Sequence, residues 1–264
     1  MPELPDVQVY REYLDATSLH QRIASVDVRR EDVLETLSAR ALQQRLAGRS
    51  LESTRRHGKH LFVRASGNGW LVLHFGMTGY PDYSKAEDPP QHTRVLLRFD
   101  NGFHLAYVSQ RVIGRLDWTD DPGGFIEQHH LGIDALDESL DAGRFREAIG
   151  RKRGSIKSAL MDQGTIAGLG NIYTDEILFQ AGVHPRAAAS DIDEPTLTEI
   201  HRQIRQVLQS AIKARAQPER MPEDFLTPRR GGDDATCPRC GKPLEKEKVS
   251  GRTAYFCPTC QAMY

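Results

Sequence analysis

The sequence predicts an α+β multidomain chain: an N-terminal β-sandwich with flanking helices, then a C-terminal helical domain carrying a small cysteine module. Three observations predict this. Short apolar runs separated by turn residues fill positions 50–118, as antiparallel strands require. Beyond about residue 143 the apolar spacing changes to a helical period. All four cysteines lie at or beyond Cys237, in two Cys-x-x-Cys pairs. A chain of 264 residues can bury a substantial core and divide into more than one domain.

Pro5 suits the first turn of a helix, where its missing N–H costs nothing. Asp6 faces the positive end of the helix dipole. Val7, Tyr10 and Leu14 recur on one face, so a helix is expected over 5–16. Residues 24–30 read as a strand, and Leu37, Ala41, Leu42 and Leu46 as a second helical face closed by Gly48. Strands are expected at 50–55, 60–65, 69–75, 93–100, 103–108 and 112–118, punctuated by Ser66-Gly67-Asn68-Gly69, Pro89-Pro90 and Asn101-Gly102. The last of these reads as a tight hairpin.

Pro122-Gly123-Gly124 and the acidic residues behind it read as a linker. Helices are expected at 143–150, 154–162, 170–181 and 195–215; the last buries Leu197, Ile200, Ile204, Val207, Leu208 and Ala211 on one stripe. Residues 216–235 read as irregular. The expected division is therefore a β-sandwich domain 1–121, a linker 122–142, a helical domain 143–235 and a cysteine module 236–264.

No run of about 18 apolar residues occurs, and no charged-then-apolar leader precedes the first helix. A cytoplasmic protein with no membrane partner is expected, and clustered Cys-x-x-Cys pairs argue for metal rather than disulfides. Net charge is −1, which does not advertise a polyanion binder. The distribution is more informative. Asp117–Asp141 holds eight acidic residues and no Lys or Arg, whereas Arg144–Lys157 holds six basic residues against one Glu. One face can be positive although the total cancels.

Cys237-Pro-Arg-Cys240 and Cys257-Pro-Thr-Cys260 enclose 16 residues, the spacing of a four-cysteine zinc ribbon. Rubredoxin-like iron uses similar knuckles, but nothing else in the chain supports a redox role; one structural zinc is the expectation. Ser250-Gly251 supplies the hairpin turn, and Arg252 beside it could reach a duplex groove. Thr165–Tyr173 is a glycine-permissive turn running into a helix. Backbone N–H groups there suit a phosphate, and Asn171 adds a side-chain donor. With the helix before it, this makes a helix–two-turn–helix. Close helix packing explains the two glycines equally well.

The first residues carry chemistry of another kind. Removal of Met1 leaves Pro2 with a secondary amine, and an α-amino group titrates near pH 8, about 7.7–8.0. Attack on a sugar C1′ gives an iminium that cannot lose its charge by shedding an N–H proton, an electron sink for elimination. Glu3 can serve as acid or base. Taken alone, Met-Pro-Glu reads better as a helix lead-in; the rest of the chain reverses that preference.

Pro2-Glu3-Leu4-Pro5, Gly168-Leu-Gly-Asn171-Ile-Tyr and Cys257-Pro-Thr-Cys260-Gln261 together resemble the formamidopyrimidine-DNA glycosylase / endonuclease VIII family, closer to the formamidopyrimidine branch. The resemblance spans the chain. It implies a bifunctional DNA glycosylase and abasic-site lyase of base excision repair, acting as a monomer on duplex DNA with damaged bases or abasic sites, in the cytoplasm on the nucleoid. It removes oxidised or ring-opened bases and cleaves by β,δ-elimination. Pro2 is then the nucleophile, Glu3 its proton-transfer partner and Lys59 the β-hairpin lysine. Asn171 and Arg252 match phosphate-binding residues, and His74 and Lys157 join the DNA-binding set. Met77 matches the wedge that fills the gap left by an extruded nucleotide, a task suited to a flexible, polarisable side chain. Arg111 matches the residue that pairs with the base left behind.

The sequence departs from the pattern in places. Asp6 stands where the family usually has Glu. Gln110-Arg111-Val112-Ile113-Gly114 replaces Arg-Arg-Phe-Gly, so Ile113 takes the aromatic wedge position. Residues 214–230 lack the longer Thr-rich loop that closes over an oxidised purine. Two competing readings remain: a non-catalytic relative that binds damaged or bent DNA, and a zinc-ribbon interaction module on an unrelated domain.

Overall fold

The computed structural model describes residues 1–232 and 235–264; Asp233 and Asp234, in the stretch read as irregular, lie outside the described residues. The chain forms two compact units. One comprises Met1–Pro2 and Asp6–His129, the other Glu3–Pro5 and His130–Tyr264. Helix α1, Leu4–Thr17, begins in the second set and continues in the first.

The first unit is a β-sandwich. Strands β1 (Ile23–Val28), β2 (Leu51–His57), β3 (His60–Ala65), β4 (Trp70–His74), β5 (Tyr80–Ser84), β6 (Thr93–Phe99), β7 (His104–Val108) and β8 (Arg115–Thr119) make two sheets. Their orders are β1-β6-β7-β5 and β2-β3-β4-β8, all pairs antiparallel. Leu61, Val63, Leu71, Leu73, Val95, Leu97, Leu105 and Leu116 fill the interior, with Val7 and Leu14 from α1 and Leu42 and Leu46 from α2, Ala39–Leu46. Ser38 caps α2 through Ala41 N–H. The Asn101-Gly102 turn joins β6 to β7, with Gly102 at φ +82°. Strand β5 went unread in the sequence because it is a five-residue edge strand containing Pro81, which a ladder interior would not accept.

Within 122–142, read as a linker, Pro122–Gln128 forms helix α3, capped by Asp121 accepting from Gly123 N–H. Phe125 of α3 packs on Phe62 and Val72.

The second unit is helical. After the two-residue strand β9 (Ile133–Asp134) come α4 (Ala142–Gly150), α5 (Ile156–Met161), the short strand β10 (Ile166–Ala167) paired with β9, α6 (Asn171–Ala181) and α7 (Glu194–Lys213). Asp141, Ser155 and Asp193 cap α4, α5 and α7. The α7 stripe of Leu197, Ile200, Ile204, Val207, Leu208 and Ala211 is buried as its spacing requires, against Phe145, Ile149, Ile177 and Leu178. Residues 217–230 contain two short 3-10 turns, and Met221, Phe225 and Leu226 are buried. The cysteine module is the hairpin of β11 (Glu245–Val249) and β12 (Arg252–Phe256). Its turn residues Ser250 and Gly251 both have positive φ, +47° and +78°, as a two-residue hairpin turn demands.

An imidazole group lies on the β3–β4 face of the sandwich. The rings of His60 and His74 are 5.0 Å apart, and His129 stacks on Phe125 at 3.9 Å. Burial, then the neighbouring His74, pushes His60 down to about 3; burial, then Lys59, pushes His74 down to about 4. Both folded values lie below the unfolded value of about 6.5, so the unfolded chain takes up protons first as pH falls. The sandwich should lose stability progressively from about pH 6.5 downward, by about 2 kcal/mol per imidazole at pH 5. Thermal melts of wild type and His60→Gln between pH 7 and 5 measure this; the substituted protein should show the shallower decline.

Candidate functional site

Glu3, singled out in the sequence, is tightly held. Its side chain is 1% exposed, and three backbone N–H groups donate to the carboxylate. They are Gly170 N at 2.9 Å, Ile172 N at 2.8 Å and Tyr173 N at 3.2 Å. These donors belong to the start of α6, the positive end of its dipole. Leu4 N–H donates to Gly168 O at 3.1 Å. The two glycines exist to admit this approach. A Cβ on Gly170 would lie 2.4 Å from Glu3 Cδ, and one on Gly168 would lie 2.9 Å from Leu4 Cβ. Gln163 holds the turn, donating from Nε2 to Leu169 O and accepting from Gly168 N–H. The sequence reading gave these helix-start N–H groups to a phosphate. That is corrected: the Glu3 carboxylate takes three of them.

The Asn171 Nδ2 donates to Thr253 O of β12 at 3.0 Å, and its Oδ1 is buried with no partner among the described residues. Lys157, expected on the DNA surface, is 1% exposed. Its ammonium pairs with Asp175 and also donates to Thr253 O at 3.4 Å. Burial pushes it below the ordinary lysine range, opposed by the Asp175 carboxylate. A cation committed to a buried carboxylate is a structural tie and not a phosphate ligand. Lys157 marks the buried end of the basic run 144–157, where charge count was mistaken for exposure. Arg252 opens β12 beside the turn and is exposed.

Sequence reasoning missed Asp175, Glu176 and Arg230. Asp175 accepts from Lys157, from Arg230 and from Tyr255 N–H at 3.0 Å. Glu176 accepts from Leu226 N–H at 3.1 Å and from both Thr227 N–H and Thr227 Oγ1 at 2.6 Å; burial pushes its carboxyl up, against these donors. The signal was present: two carboxylates inside the apolar run Ile172–Phe179 must find buried partners.

In the sandwich unit, Pro2 is buried. Gly58, at φ +53°, turns the β2–β3 hairpin and places Lys59 at its tip. The half-buried imidazole of His74 is pushed down to about 4 and so offers no charge to a phosphate near neutral pH, and its carbonyl accepts from Tyr107 Oη at 2.8 Å. Met77 is 37% exposed and Ile113 is 46% exposed. Arg111 Nη1 lies 3.7 Å from Met77 Sδ. Between Arg111 and Ile113, Val112 has φ +53°. A β-branched residue there stores about 1–3 kcal/mol of strain, which the loop bears in presenting its neighbours.

The sulfurs of Cys237, Cys240, Cys257 and Cys260 lie within 4.8 Å of one another. Cys237–Cys260 and Cys240–Cys257 are separated by 3.8 and 3.6 Å. A tetrahedron of Zn–S bonds of about 2.3 Å has edges of about 3.8 Å, so the donor set fits one zinc. Burial and then the adjacent thiols push Cys260 up to about 12; a dication reverses that preference. Phe179 and Leu226 pack against Cys237 and Cys257.

The chain matches three family models in succession: the formamidopyrimidine-DNA glycosylase N-terminal domain over residues 1–116, the formamidopyrimidine-DNA glycosylase H2TH domain over 131–221, and the zinc finger found in FPG and IleRS over 236–262. Among curated relatives, formamidopyrimidine-DNA glycosylase of Pelotomaculum thermopropionicum is 33% identical over 99% of both chains. That of Gluconobacter oxydans is 34% identical over 99% of this chain and all of its own. Among solved structures, Lactococcus lactis Fpg in complex with abasic-site DNA superposes with TM-score 0.90 at 28% identity, covering 98% of this chain and 99% of that one. The same protein with DNA containing N7-benzyl-Fapy-dG gives 0.89 at equal coverage and identity. The cysteine cluster is accordingly a zinc finger, and the chain belongs to the formamidopyrimidine-DNA glycosylase family.

Proposed function

We propose that this chain is a bifunctional DNA glycosylase and abasic-site lyase of base excision repair, acting as a monomer in the cytoplasm on nucleoid DNA. The observation that carries the reading is the Glu3 carboxylate, immobilised beside residue 2 by three N–H donors of Gly170, Ile172 and Tyr173. A carboxylate buried and oriented to this degree next to an amine is equipment for proton transfer. The relatives are named as glycosylases, and the Lactococcus lactis protein was solved on abasic-site DNA.

Once Met1 has been removed, the Pro2 nitrogen forms its bond to C1′ as the glycosidic bond breaks, and the base departs with the bonding electrons and picks up a proton from solvent. The Pro2 N–H proton is lost and the C1′–O4′ bond opens, with Glu3 carrying the proton to O4′. The resulting iminium accepts electrons as a C2′ proton leaves and the 3′-phosphate is expelled; a second elimination expels the 5′-phosphate. Lys59 stands by as a further proton carrier or phosphate partner. Asn171 and Arg252 hold backbone phosphates, Met77 and Ile113 fill the space of the extruded nucleotide, and Arg111 addresses the orphaned base. Domains divide the work as 1–121, 143–235 and 236–264, with 122–142 between them; of that stretch Pro122–Gln128 packs as α3 on the first domain. Zinc folds the module and takes no part in the chemistry.

Borohydride should trap the iminium and leave DNA joined to the N-terminal peptide, read by mass spectrometry. Glu3→Gln should slow base release by about 10²–10⁴-fold while slowing cleavage of a preformed abasic site much less. An adduct on Lys59, or none from protein with a verified free Pro2, would overturn the mechanism; in the second case a binding-only protein is the better description.

Lesion range has its own expectation. Ile113 offers no ring for stacking, and Met221, Phe225 and Leu226 are committed to their own core, so the flipped base is held loosely. Activity on ring-opened purines and abasic sites should exceed that on 8-oxoguanine; a clear preference for 8-oxoguanine opposite cytosine would contradict this.

Cys257→Ser should lose the metal, since a structural zinc supplies about 10–16 kcal/mol of apparent binding energy to its module. Elemental analysis should find one zinc per wild-type chain and less in the variant, with duplex binding lost in parallel. Iron in place of zinc, or unimpaired binding, would count against the assignment.

A further inference from the structure

Among the described residues strand β12 pairs with another strand on one side only, so the groups on its other edge need acceptors and donors from elsewhere. Helix α6 provides them. Asn171 Nδ2 donates to Thr253 O at 3.0 Å, and Asp175 accepts from Tyr255 N–H at 3.0 Å. The two side chains stand one helical turn apart, a rise of about 6 Å. The two strand residues are two positions apart, about 6.8 Å between their Cα atoms. The helix face thereby substitutes for a missing third strand, one side chain acting as its N–H and the other as its C=O. Lys157 adds a second donor to Thr253 O, and Arg230 lies over the Tyr255 ring at 4.5 Å while pairing with Asp175. Asp175 is fully buried and joins all three partners.

We propose that Asp175 is a positioning residue for DNA engagement: by locking β12 to α6 it fixes Arg252 and Asn171 at the spacing needed to hold the phosphates of one strand. This rests on the assignment above of those two residues as phosphate contacts. Asp175 reaches no solvent and acts entirely through Lys157, Arg230 and the hairpin backbone. The Oδ1 of Asn171, buried with no partner among the described residues, fits the same picture. The amide is oriented by its Thr253 bond and not by its own carbonyl, so the hairpin sets where the remaining Nδ2 hydrogen points.

Full-length, zinc-loaded Asp175→Asn and Asp175→Ala test this. Asn keeps the shape and one acceptor but not the charge that holds Lys157 and Arg230. Both should retain one zinc and give a borohydride adduct at saturating protein with near wild-type amplitude. KM for an abasic duplex should rise about tenfold in the Ala variant, and less in the Asn variant, with kcat little changed. The slope of log affinity against log salt should flatten by about one, the loss of a phosphate contact. A general loss of folding does not alter that slope in the fraction that binds. Amide exchange across 249–256 should quicken in both variants, a readout that needs no DNA. If wild type fails to bind the abasic duplex, the function assigned above fails while the exchange measurement still judges the lock. Wild-type salt slope and wild-type hairpin exchange in zinc-loaded variants would overturn the proposal. If Asp175→Ala does not load zinc, Asp175→Asn decides by the same two readouts.

Discussion

The rest of the helical unit depends on one interaction, the seating of the Glu3 carboxylate on the first turn of α6. Three charge-assisted hydrogen bonds, each about 1.5–3 kcal/mol, offset the several kcal/mol needed to bury a carboxylate. The balance contributes little net stability. Its product is location: a segment that would otherwise fray is held to the start of α6. That in turn dictates the absence of a side chain at Gly170 and a left-handed Gly168.

Helix α6 distributes this rigidity. Its N-terminus grips Glu3, while Asn171 and Asp175 dock the hairpin. Glu176 secures Leu226 and Thr227 ahead of the cysteines. About three turns of helix thus orient the Glu3 carboxylate, a metal module and the segment ahead of it. Charged groups buried this way are poor contributors to stability and good determinants of geometry, which suits a protein that must meet a polymer at several points at once.

The parts of the molecule legible in the sequence were those with local causes. The cysteine pairs, the Asn101-Gly102 hairpin and the α7 stripe follow from spacings of a few residues. The two sheets followed from turn punctuation, except β5, where Pro81 and shortness hid an edge strand. Glu3 was legible as a reactive candidate, but its partners lie far along the chain at 170–173, and no local pattern encodes that meeting. Lys157 failed for the converse reason: a basic run looks the same whether its last member faces solvent or a buried Asp175. The family resemblance gave the right architecture from end to end, and could not say which cations had already found carboxylates.

Docking a ribbon edge on a helix face has an evolutionary corollary. Successive residues of β12 point their backbone groups to opposite edges, so only alternate positions can meet Asn171 and Asp175. Inserting or deleting one residue between the Ser250-Gly251 turn and Cys257 would present the wrong edge to α6 and move Arg252 to the other face of the ribbon. Length change in this segment is therefore quantised in pairs, and the zinc knuckle at one end together with the tight turn at the other leaves no slack to absorb an odd residue. The tip can vary in chemistry far more readily than in length.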